Sequence, residues 1–210
     1  VTLIADRYQP LDPPRPGVPQ RARDLQTAQT VLLREVRMPD ADALARAQAA
    51  RGVFHPSLVT LFEVIPHPDG RALLAYEYVT AHPIAQVSGG RPLNARRAAQ
   101  IVSEVADALA ELHARDIPHG GVSQQTVLVT MKGKAKLDRV GDPTLNILLD
   151  PSIERDLIAL GELLDELAAR PGGGASGNQA VETIVSRARA GQFESAATIA
   201  SLLRRASLSP

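Results

Sequence analysis

A chain of 210 residues with 44% hydrophobic content holds enough apolar material for one large domain or two small lobes. Its 23 lysines and arginines balance 23 aspartates and glutamates, so no net field draws it to nucleic acid or anionic lipid. The absence of cysteine excludes disulfides and thiolate metal sites and fits a cytoplasmic location. No apolar run approaches the ~20 residues of a membrane span. Aromatic residues make up 3% of the chain, which leaves few Tyr or Trp anchors for a tight interface. The chain opens on Val1 in place of Met. The expectation is therefore a segment of a longer protein, with any membrane anchor outside these residues.

The elements follow in order. LDPPRPGVPQ (11–20) is proline-rich and reads first as a rigid surface loop, second as a polyproline ligand. TVLLREVR (30–37), LVTLFEVI (58–65) and RALLAYEYV (71–79) carry the β-branched and aliphatic residues of strands. The last two are joined by PHPDG, whose Asp69-Gly70 marks a hairpin. Between the first two, DADALARAQAAR (40–51) is an alanine-rich helix with Asp40 as its N-cap. A short crossover near 81–90 leads to Asn94, which caps a long helix. Along it Ala98, Ile101, Val102, Val105, Leu109 and Leu112 recur on one face. TVLVTMKGKAKL (126–137) reads as a hairpin turning at Lys132-Gly133. Asp150-Pro151 supply the cap and first position of a helix striped by Ile153, Leu157, Leu160, Leu164 and Leu167. RPGGGASGN (170–178) breaks it, and helices over 179–189 and 195–205 complete the chain.

Five stretches carry a family likeness: HPSLVTLFEV (55–64), AYEYV (75–79), VADALAELHARDIPH (105–119), DLIALGELLDEL (156–167) and VETIVSRARAGQFESAATIASLLRRA (181–206). In order and wording they resemble the bacterial Ser/Thr protein kinases of the eukaryotic type. The resemblance implies an α+β, two-lobed protein-kinase-like fold. A small β-rich N-lobe would occupy 1–80 and a mainly helical C-lobe 81–210. It puts Tyr76 at the gatekeeper slot and 77–79 at the hinge.

Kinase chemistry needs a clamp on the triphosphate, Mg²⁺ held by carboxylate and amide oxygens, and an acidic group that orients the hydroxyl. Matched residue by residue, this chain departs at each. The slot of the glycine-rich loop has Gly17 as its lone glycine, and Pro13, Pro14, Pro16 and Pro19 offer no N–H. The strand lysine is Arg34, and its helix glutamate is Arg46, so two cations are expected to face each other. HGGVSQQT (119–126) stands where the family reads HRDLKPEN. His119 matches, while Gly121 replaces the catalytic aspartate, Ser123 the phosphate-contacting lysine and Thr126 the metal-binding asparagine. In place of DFG stand Arg139, Val140 and Gly141, with Asp138 and Asp142 on either side of the lost carboxylate. A one-residue offset turns a strand side chain to the other face, so Asp138 would serve only through a bulge. His119, Gly141 and Asp156 keep family positions, His119 packing beneath the loop and Asp156 bonding its amides. The activation segment is shortened, no APE appears, and Gln192 replaces the arginine that would pair with it.

The expected function is a catalytically inactive pseudokinase domain, with no cofactor and no metal, serving as a protein-interaction or regulatory module. The resemblance implies a protein partner, an active kinase or a phosphothreonine-binding protein, with Thr144 as an exposed candidate phosphosite. Two alternatives stand beside it. One is an ATP-responsive switch or atypical nucleotide-dependent enzyme using Asp138 and Asp142 with Arg34. The other is a structural cytoplasmic domain of a larger membrane or cell-envelope protein.

Overall fold

The computed structural model describes residues 2–145, 150–168 and 178–208. They fall into two compact units: 2–54, 59–79 and 139–145 in the first, and 55–58, 80–138, 150–168 and 178–208 in the second. The chain is α+β, rich in sheet toward its N-terminus and helical toward its C-terminus, the composition expected of a kinase-like fold.

The first unit comprises β1 (Tyr8–Pro10), β2 (Gln20–Asp24), β3 (Thr30–Arg37), α1 (Ala41–Ala50), β4 (Leu61–Pro66) and β5 (Arg71–Glu77). The strands form one antiparallel sheet in the order β1-β2-β3-β5-β4. Register assigns the faces, because residues paired across strands share a side. Leu33 pairs with Ala75, Glu35 with Leu73, and Leu73 with Ile65, which sets these on one face. There Tyr8, Ala22, Val31, Leu33 and Ala75 form a buried cluster, with Ile4, Ile65 and Leu73 packed against it. Leu32, Arg34, Leu74 and Tyr76 belong to the other face. In α1 the Asp40 carboxylate accepts the Ala43 N–H at 2.7 Å, and Ala43, Ala47 and Ala50 are buried at helical spacing.

The expected strand, helix, strand, hairpin, strand order holds, and the structure adds β1 and β2 on either side of the proline-rich loop. QRARD hides its period because one of its inward residues is an aspartate: Ala22 and Asp24 are both buried. β4 begins at Leu61, later than expected.

The second unit comprises β6 (Ala81–Pro83), α2 (Ile84–Ser88), α3 (Ala95–His113), β7 (Val127–Thr130), β8 (Ala135–Leu137), α4 (Ile153–Ala168), α5 (Gln179–Arg189) and α6 (Ala196–Leu208). Asn94 accepts the Arg97 N–H at 2.8 Å and starts α3, whose expected apolar stripe is wholly buried. α3 is the axis of this unit and packs on α6, α4 and β8. Gly161 lets α4 approach α5, since a Cβ there would lie 2.5 Å from the Ala188 methyl. The crossover is more ordered than its sequence suggests, holding α2 and a strand, β6, that pairs with β7. Ser152, not Asp150, caps α4: its hydroxyl accepts the Arg155 N–H at 3.2 Å. The Pro151 start is therefore two residues early. In the RPGGGASGN break, residues 170–177 lie outside the described ones. Among the described residues no helix is long and apolar enough to cross a membrane.

Candidate functional site

The kinase-like positions fall in both units, and each group is built differently. In the second unit, residues 119–126 are organised by one carboxylate. Asp156, in the first turn of α4 and buried, accepts the backbone N–H of His119 at 2.7 Å and of Gly120 at 2.8 Å. Its Oδ2 also takes a hydrogen from His113 Nε2 at 2.9 Å. The His119 ring bridges backbone to backbone: Nε2 donates to the Asp138 carbonyl at 2.8 Å and Nδ1 accepts the Gly121 N–H at 3.2 Å.

Gly121, Ser123 and Thr126 turn this loop back on itself. Gly121 has no side chain. Thr126, buried, donates its hydroxyl to the Gly121 carbonyl at 2.6 Å and accepts the Ser123 N–H at 3.0 Å. Ser123 Oγ accepts the Gln125 N–H at 3.3 Å. These hydroxyls close a turn on their own backbone. Asp138 is half-buried, with its N–H on the Thr126 carbonyl at 2.8 Å.

In the first unit, residues 139–145 gather around Asp142, whose side chain is fully buried. Oδ1 accepts the Thr144 N–H at 2.9 Å and the Thr144 hydroxyl at 2.6 Å. Oδ2 accepts Arg139 Nε at 2.9 Å and faces Arg34 Nε at 3.5 Å. A carboxylate has about four lone-pair sites, and here three hydrogen bonds and the Arg34 ion pair address them. Arg139 Nη2 closes the ring by donating to Thr144 Oγ1 at 2.6 Å. The adjoining backbone is held as tightly. Tyr76, buried in β5, donates its hydroxyl to the Val140 carbonyl at 2.9 Å. Gly141, at φ +76, lies where a Cβ would sit 3.0 Å from Ala47 Cα, so this position admits only glycine without a shift of α1. Arg139 takes a left-handed φ of +70, which a non-glycine residue adopts at a cost.

Two expectations change. Arg34 faces a carboxylate from 139–145 instead of Arg46, which is half-buried on α1 with no ion pair among the described residues. Thr144 is exposed, as expected, but its hydroxyl is already bonded to Asp142 and Arg139. Among the described residues no three His, Asp or Glu side chains gather as a metal site would need.

Sequence reasoning overlooked His113, whose Nδ1 is buried with no hydrogen-bond partner among the described residues. A signal existed, because it stands six residues before His119 in the quoted ELHARDIPH. The sequence suggests Asp142 only as part of a nucleotide-switch alternative; nothing in its local sequence announces burial.

No family model matches the chain. Among curated proteins it is 31% identical over 117 residues to the serine/threonine-protein kinase pkn3 of Myxococcus xanthus, covering 52% of this chain and 21% of that protein. It is 30% identical over 98 residues to the serine/threonine-protein kinase GRIK2 of Arabidopsis thaliana, covering 46% of the chain and 24% of the relative. To PrkC of Bacillus subtilis (strain 168), also a serine/threonine-protein kinase, it is 24% identical over 99 residues, covering 47% and 15%. The matched part thus spans at most 24% of these relatives' lengths. Similarity to three Ser/Thr protein kinases, on a chain whose α+β element order is kinase-like, supports a protein-kinase-like family for this chain.

Proposed function

We infer that this kinase-like domain is a pseudokinase that transfers no phosphoryl group and works as a protein-interaction or regulatory module. The observation that carries the reading is the Asp142 cluster. The one acidic side chain buried beside the DFG-like position has its oxygens addressed by Arg34, Arg139 and Thr144. A Mg²⁺ ion would have to displace those donors, and Arg34, the strand-lysine counterpart, would have to leave its counter-charge to reach a phosphate. Gly121 supports the same reading, since it has no carboxylate to orient a nucleophilic hydroxyl.

Thermal unfolding with and without saturating ATP and Mg²⁺, paired with a phosphate-transfer assay on a generic basic protein substrate, tests it. A ligand at a hundredfold excess over its Kd stabilises a fold by about 2.7 kcal/mol, a shift of several degrees at this size. No shift and no transfer is the expected result. A Mg²⁺-dependent shift that disappears in Asp142→Asn would replace this reading with the nucleotide switch.

The partner expected of such a module is a protein, either an active kinase or a phosphothreonine-binding protein, in the cytoplasm. If Thr144 is the modified residue, its hydroxyl must first leave Asp142 and Arg139. The phosphate would repel the carboxylate and attract the guanidinium, freeing residues 142–145 from the cluster. Partner binding that survives Thr144→Ala would remove Thr144 from this scheme.

A further inference from the structure

The sheet of the first unit has two unlike faces. The face of Arg34 and Tyr76 meets residues 139–142 through the Arg34–Asp142 ion pair and the Tyr76–Val140 hydrogen bond. Over the other face, that of Leu33, Ile65 and Leu73, arch residues 4–5 and the proline-rich loop. Between sheet and loop lies a cavity of about 840 Å³. This volume falls within the roughly 300–1,000 Å³ of small-molecule sites. Pro14, Pro16 and Pro19 fix the backbone of the loop, and Ala5 and Asp6 hold consecutive left-handed φ values of 49 and 54 beside it.

The lining restricts the ligand. It has no Phe, Tyr or Trp on which a nucleobase could stack, and its prolines offer no N–H to a polyphosphate. Ile4, Val18, Leu33, Ile65 and Leu73 supply aliphatic surface instead. Charge is unbalanced at the mouth. Glu35 pairs with Arg71 at 2.5 Å, Asp69 with Arg71 at 2.6 Å and with His67 at 2.9 Å, and Arg34 is held by Asp142. Arg15 remains, exposed on the loop and without an ion pair among the described residues. Asp12 feels its field, but both Asp12 oxygens are bonded to Arg21 at 2.8 and 2.7 Å. Beneath the floor, the buried Tyr8 hydroxyl has no hydrogen-bond partner among the described residues, in the cluster against which Ile4, Ile65 and Leu73 pack.

We propose that this cavity binds an amphipathic anion, an unbranched aliphatic carboxylate whose alkyl chain lies on Leu33, Ile65 and Leu73 and whose carboxylate meets Arg15. The site lies over the Leu33, Ile65 and Leu73 face, and Arg34 at its border is already held by Asp142.

Calorimetric titration of the 210-residue chain with sodium decanoate, below its micelle concentration, tests it. Decyltrimethylammonium, the same chain with the opposite charge, is the control. The expected result is saturable one-to-one decanoate binding and none of the cation. Arg15→Glu, on an exposed loop where it cannot unfold the sheet, weakens decanoate by about tenfold or more. Leu73→Trp fills the cavity and abolishes binding, with folding checked by circular dichroism. Absence of saturable binding overturns the proposal, as does equal affinity for the two ions or an affinity unchanged in both variants.

Discussion

Residues 119–126 and 139–145, the two stretches compared in sequence with kinase motifs, are held in opposite ways. The first is suspended from a single external acid, Asp156, which receives two backbone N–H groups and a histidine. The second holds itself: Asp142, Arg139 and Thr144 bond one another, and Arg34 adds a charge from β3. The difference shows two ways of fixing a loop. A loop whose backbone is fixed from outside keeps its path without relying on the side chains at Gly121 and Thr126. Residues 139–145 instead balance their charges within their own ion cluster, joined by Arg34.

The largest expected effect is at Asp156. Asp156→Ala strands the amides of His119 and Gly120 and the ring of His113 in a buried setting, at a cost of about 4 kcal/mol, or a Tm lower by about 10 °C. Urea unfolding measures it. A loss under 1 kcal/mol would mean that residues 119–126 hold their own path, and the contrast would fail.

Asp142→Ala should cost less, about 2–3 kcal/mol, because Arg34 is 23% exposed and regains water once released. Shared bonding makes a second expectation sharper. In Arg139→Met the cost of Asp142→Ala should fall by about 1 kcal/mol or more in a double-mutant cycle. Additive losses would show that these residues are neighbours without a common network.

Asp24 provides an internal control, since it repeats the Asp142 pattern where no catalytic role was ever expected. Its carboxylate takes Arg7 Nε at 2.8 Å and Nη2 at 2.6 Å, the Gln26 N–H at 2.9 Å and the Thr27 hydroxyl at 2.9 Å. The Arg7 hydrogen bonds hold this acid well below the usual carboxylate range, against burial that pushes the other way. The folded protein therefore prefers the charged form. Its contribution is complete above the unfolded carboxylate pKa of about 4 and is lost as pH falls below that value. Asp24→Asn should cost about 2 kcal/mol at neutral pH and flatten the acid side of the stability curve. An acid limb unchanged in that variant would assign the pH dependence to other groups.

Much of this architecture is legible in the sequence because it depends on periodicity and capping, which are local. The α3 stripe, the Asp40 and Asn94 caps, the Lys132-Gly133 hairpin and the span of α5 are of this kind. What escaped depends on partners far along the chain. β2 fails the alternation test because Asp24 is buried against Arg7, seventeen residues away, and Asp142 is buried in a cluster that draws Arg34 from more than a hundred residues away. A charged residue in a sequence reads as surface, and nothing local says that its counter-charge waits inside. Ser152 escaped for another reason: two capping residues stand within three positions, and only geometry chooses between them.

Tyr76→Phe is the smallest change and separates two ways of holding 139–145. The phenol donates to the Val140 carbonyl with both groups buried. Removing the hydroxyl leaves the ring in place but strips the carbonyl of its donor, a loss of about 1 kcal/mol. If the ion cluster alone fixes the segment, that loss should be unchanged when Asp142 is already Ala. If Tyr76 and Asp142 hold the same stretch of backbone from its two ends, the cost of Tyr76→Phe should shrink once the Asp142 end is released, because a loosened carbonyl can find water. The second outcome is expected. Gly141 lies between the two anchors, pressed against Ala47, so neither end can move without disturbing the packing of the other.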